Sequence, residues 1–188
     1  MEILLKPLEK EDFNQLAMWI PTKKFHVQWC GTIFRYPLDG EQFERYLQGC
    51  AGHPPKRLAF KAVCRKDNSM VGQISFHIIN SEHRSGHLGP ILIGNPGLRG
   101  RGIGSKMVYK MLQIAFQQLK LHRIDLYVFD FNKSAIGCYE KMGFIKEGLL
   151  REAVRVDNEY WSTYLMSILE TEWRPDRKQG LGTSDHSK

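Results

Sequence analysis

No stretch of the 188 residues approaches the roughly 18 uninterrupted apolar positions that a membrane helix requires, so no membrane span is expected. The start, Met1 to Pro7, has no basic region followed by a long apolar run, and no secretory signal is read there. Cysteine is sparse and scattered: Cys30, Cys50, Cys64 and Cys138 form no CxxC pair and no Cys/His ligand spacing. That pattern excludes a zinc finger, predicts no metal site, and suggests a reducing, cytoplasmic setting. No internal repeat is visible. A P-loop is also missing, because no Gly-Lys-Ser/Thr follows a glycine after four spacers. So is a dinucleotide fingerprint: the glycines at 100, 102 and 104 do not form GxGxxG, and Asp125 lies inside a predicted strand rather than at its end.

What is present is an ordinary globular composition, 42% hydrophobic and 25% charged, in a length that suits one domain. Lys and Arg number 27 against 20 Asp and Glu, a net charge of +7, which favours anionic partners. The basic residues are dispersed and no RNA- or DNA-binding motif accompanies them, so nucleic acid is not the expected partner.

Hydrophobic periodicity predicts an α/β domain with a mixed (α+β) sheet. Strands are expected at 3–8, 58–64, 70–80 and 86–93, the last ending in the buried run Ile91-Leu92-Ile93. Helices are expected at 10–20 and 40–48, the second capped by Asp39. The segment 25–36 between them is rich in aromatics and takes no period. Ile103, Met107, Met111, Ala115 and Leu119 predict a long amphipathic helix over 102–120. A strand at 123–129, a helix at 132–142 and an antiparallel hairpin, 144–156 with 160–169, complete the order. The strands flanking the long helix should run parallel by a right-handed crossover. Residues 1–173 make the domain, and 174–188 read as a disordered tail.

The segment Leu98-Arg99-Gly100-Arg101-Gly102-Ile103-Gly104 joins a buried strand to an amphipathic helix. Glycines let backbone amides approach a ligand, the helix start carries partial positive charge, and Arg99 and Arg101 add two cations. Together these form a phosphate cradle.

This Arg-x-x-Gly-x-Gly pattern, from Arg99 to Gly104, resembles the pyrophosphate loop of the GNAT N-acetyltransferase superfamily. Asn132-x-x-Ala135-x-x-x-Tyr139-x-x-x-Gly143-Phe144 resembles the family's second coenzyme A motif, one strand downstream. The look is nearest to the bacterial branch that acetylates ribosomal-protein N-termini, amino acids and polyamines. The resemblance implies a GNAT-like fold, its sheet splayed between two central parallel strands, with acetyl-CoA held in the wedge. It implies further that the main chain of Ile91, Leu92 and Ile93 pairs with the pantetheine arm. The amides of Gly100, Gly102, Ile103 and Gly104, with Arg99, Arg101 and the Ser105 hydroxyl, would meet the pyrophosphate. Tyr139 would protonate the departing thiolate. Asn132 would cap its helix, contact the coenzyme, or do both, and Ser134 is a further contact candidate.

Under that resemblance the reaction is direct acetyl transfer to a primary amine: an amino acid, a peptide N-terminus or a small amine. No acid lies between Gly86 and Ile93, so His87 is the candidate general base, and transfer through ordered water is the alternative. The missing acid also leaves open a non-catalytic acyl-CoA-binding module. Trp29, Phe34 and Tyr36 are candidates to line the acceptor pocket, and Glu152, Asp157 and Glu159 to attract an ammonium. A monomer or a homodimer is expected.

Overall fold

Alternating apolar side chains commit seven segments to one sheet in a computed structural model that describes residues 1–52 and 55–175. The strands are β1 (Ile3–Pro7), β2 (Arg57–Cys64), β3 (Met70–Asn80), β4 (Ser85–Ile93), β5 (Arg123–Phe129), β6 (Ile145–Val156) and β7 (Glu159–Leu169). They lie in the order β1-β2-β3-β4-β5-β7-β6. Every neighbouring pair is antiparallel except β4 and β5, which run parallel as the crossover predicts. Among the described residues no helix is long and apolar enough to cross a membrane. The expected tail lies outside the described residues beyond Pro175.

Five helices cover the sheet: α1 (Phe13–Met18), α2 (Lys23–Cys30), α3 (Gly40–Gln48), α4 (Ile103–Gln113) and α5 (Lys133–Met142). Helix α2 is absent from the sequence reading, which left 25–36 as an aromatic stretch. Its start is set by Thr22, whose Oγ1 accepts the Phe25 amide at 3.2 Å, and Gly31 closes it at φ +57°. The helix expected over 10–20 is instead a short 3-10 turn, Lys10–Asp12, leading into α1. The long helix expected over 102–120 changes winding: α4 gives way to a π segment, Ile114–Gln118. A strict four-residue apolar spacing drifts around an α-helix of 3.6 residues per turn, and the wider π turn brings Ala115 and Phe116 back to the buried side.

The sheet separates two cores. On one face Ile103, Met107 and Met111 of α4 and Ile136 of α5 pack on Ile74, Phe76, Ile124 and Leu126. On the other, Leu16, Trp29, Phe34 and Phe43 pack on Ala59 and Leu92. Strand β4 changes sides part-way. Ile74 faces Ile91 and Phe76 faces Leu88, so two β4 residues, Gly89 and Pro90, stand opposite Ser75 alone. This bulge sends Leu88 into the first core and Leu92 into the second.

Candidate active site in a strand wedge

Pairing between β4 and β5 consists of Ser85 with Arg123, Gly86 with Ile124 and His87 with Asp125, and then stops. Beyond it β5 continues along β7 as far as Phe129 opposite Thr163, while β4 stays on β3. The two central strands therefore diverge, and one side of the β4 main chain from Leu88 to Ile93 has no strand partner. A cavity of about 1080 Å³ occupies the divergence.

The cavity reaches the loop that the sequence singled out. Gly100 and Gly102 sit at φ +72° and +75°, a backbone region that costs other residues strain. Gly102 is the N-cap of α4, so no side chain satisfies the first amides of that helix. Helices α2, α3 and α5, by contrast, are capped by Thr22, Asp39 and Asn132. The open donors at α4, with the partial positive charge of the helix start, suit a diphosphate. Arg99 stands beside them, its Nη2 donating to the Ile93 carbonyl at 3.4 Å and its guanidinium 5.5 Å from the Phe25 ring centre.

The cavity wall brings together Ile91, Leu92, Ile93, Arg99, Gly100, Gly102, Ile103, Gly104 and Ser105 with His87, Asn132, Ser134 and Tyr139. Arg101 is exposed and is not part of that wall. Ser105 is buried, its Oγ 3.3 Å from Cys138 Sγ. Asn132 Oδ1 accepts the Ala135 amide at 3.3 Å, which leaves its NH₂ group for another partner. Of the aromatic acceptor candidates, Trp29 lines the cavity, Phe34 stacks on Trp29 in the second core, and Tyr36 is exposed. The hairpin acids do not line it. Asp157 and Glu159 are tied to Lys23 and Lys24 at 2.5 and 2.7 Å, and both carboxyls are held below their ordinary range by those lysines.

Two titratable groups reach the gap from opposite faces of the sheet. Tyr139 comes from α5 and packs with the first core. Burial, reinforced by Cys138, pushes its phenol well above the ordinary value, so it stays a proton donor. His87 projects to the other face, in register with His77 on β3 and Asp125 on β5. Its Nδ1 lies 2.7 Å from Asp125 Oδ1. A carboxylate can only accept, so Nδ1 carries a proton, and in the neutral imidazole Nε2 is then the nitrogen with the free lone pair. Asp125 is the residue that sequence reasoning missed. Its partner is 38 positions away and becomes visible only through the β4–β5 register. No group of three metal-binding side chains is found among the described residues.

The seven-stranded fold has counterparts among solved structures. The fold superposes on a Vibrio cholerae spermidine N-acetyltransferase in complex with CoA and spermine at a TM-score of 0.77, covering 90% of this chain and 96% of that one, at 24% identity. The family model described as acetyltransferase (GNAT) domain matches residues 2–145. The chain belongs to the GNAT acetyltransferase family. Curated relatives include an uncharacterized N-acetyltransferase of Bacillus subtilis, YnaD, 28% identical over 61% of this chain, and a Vibrio cholerae spermidine N(1)-acetyltransferase, 30% identical over 56% of it. These alignments span 65% and 60% of the relatives' own lengths.

Proposed function

We propose that the chain is an acetyl-CoA-dependent N-acetyltransferase acting on a primary amine by direct transfer in a ternary complex. The observation that carries this reading is the end of β4–β5 pairing at His87, which leaves a polar main-chain edge beside uncapped helix amides. An extended amide-bearing arm ending in a diphosphate fits both features. Acetyl-CoA supplies the thioester carbonyl that the amine attacks.

The chain's own residues do the rest. The amides of Gly102, Ile103 and Gly104, with Arg99, hold the diphosphate, and Arg101 adds long-range attraction from the rim. The free edge of Ile91, Leu92 and Ile93 aligns the arm, and a β4 amide there donates to the developing oxyanion. Asn132 and Ser134 contact the arm from α5. An alkylamine has a pKa near ~10, so the acceptor must lose a proton before it attacks. His87 Nε2 accepts a proton from the nitrogen as the C–N bond forms. Tyr139 donates its proton to sulfur as the C–S bond breaks. Base and acid sit on opposite faces of the sheet, so proton removal and proton delivery do not compete for one group. The anchored imidazole also favours a catalyst over a purely acyl-CoA-binding module.

Free-thiol release from acetyl-CoA with a panel of primary amines tests this reading. Amine-dependent release is expected, and Tyr139→Phe should slow it by about 10²-fold or more while leaving acetyl-CoA affinity unchanged. Coenzyme binding with no release for any amine would contradict it.

A further inference from the structure

The far end of the wedge says what kind of amine it admits. It includes Trp29 of α2, Ile33 just beyond, Tyr127 and Phe129 of β5, and Leu150 of β6. Among the described residues, no aspartate or glutamate lines any part of the cavity. The charged side chains in its wall are Arg99, Lys133 and Lys141, all cationic. Of the hairpin acids, Asp157 and Glu159 are paired with Lys23 and Lys24, and Glu152, next to the lining residue Ala153, is not itself part of the wall. A second ammonium entering this space would give up part of its water and find no carboxylate in the wall to replace it. An apolar body would instead replace water against aromatic and aliphatic walls.

Resting on the transferase reading above, we infer that the acceptor is a small monoamine with an apolar or aromatic body, and that the site discriminates against polyamines. One nitrogen reaches His87, and the remainder of the molecule lies between α2 and β5. The neutral Gln28 also lines the cavity, and a carboxylate put in its place would supply the counter-charge that the wall lacks.

The test compares 2-phenylethylamine with spermidine by free-thiol release, using the full chain saturated with acetyl-CoA. The monoamine should have a kcat/KM higher by about 100-fold. Spermidine equal to or better than 2-phenylethylamine would overturn the inference and leave the transferase reading intact. If neither amine released thiol, calorimetric binding of the two amines to CoA-loaded protein would rank them, and spermidine binding as tight as or tighter than 2-phenylethylamine would overturn the inference. Gln28→Glu should narrow the gap between the two amines by about tenfold. An unchanged gap in a folded, coenzyme-binding Gln28→Glu protein would place the acceptor elsewhere and overturn the assignment.

Discussion

At the scale of single residues, the proposed chemistry turns on which nitrogen of His87 holds the proton. Asp125 lies outside the cavity wall and bonds Nδ1, so the role proposed for it is positioning. Asp125→Asn should lower kcat by about 10–100-fold with the KM for acetyl-CoA unchanged, and Asp125→Glu should restore part of the loss. A fall in stability with unaltered kcat would mean the pair is structural only. His77, in register with His87, behaves differently. Burial, with the charges of Arg57 and His87 added, pushes its pKa down to about 4. The folded protein holds it neutral while the unfolded chain protonates it near ~6.5. Its contribution is therefore complete above pH ~6.5 and is lost as pH falls toward 4, on the order of 2 kcal/mol. Urea unfolding of His77→Gln should show a flatter pH dependence in that window, and an unchanged slope would contradict the assignment. Tyr139, Asn132 and the 99–105 loop were legible in the sequence because each lies in a contiguous motif. The His87–Asp125 pair was not, because its geometry belongs to the register of two strands.

At the scale of elements, the root of the wedge depends on close packing at Gly86. A Cβ there would come within 2.3 Å of the Phe76 ring and 3.1 Å of the His77 carbonyl oxygen. Both belong to β3, which is held between β2 and β4, so neither has room to give. Gly86→Ala should cost about 2 kcal/mol in urea unfolding and weaken coenzyme binding. A neutral substitution would mean that the root is looser than its packing implies. The strand segments along the chain were legible through alternation and turn residues, but the insertion of β7 between β5 and β6 in the sheet was not. Helix α2 was not, because its aromatic side chains are placed by stacking and by contact with the sheet, as Trp29 is by Phe34 and by the Gln73 side chain at 3.2 Å. The π segment after α4 was hidden for a related reason: a spacing of four reads as α-helix until the sheet beneath fixes which residues must face inward.

At the scale of the whole molecule, one sheet divides two cores and opens between its two parallel strands, so a ligand can meet groups from both faces. Arg99 and uncapped amides converge at the α4 turn, where the proposed function places the diphosphate. The resemblance read from two short motifs carried the fold and the family. The same resemblance implied the divergence, but the point at which pairing stops, after three residues, and the cavity lining that results are encoded in no local pattern. The most direct measurement is amide hydrogen exchange with and without CoA. Filling the wedge should slow exchange by roughly tenfold or more over 88–93 and 100–105 and leave the edge strand 3–7 unchanged. Exchange over 88–105 that is indifferent to CoA, or protection confined to 3–7, would contradict the account.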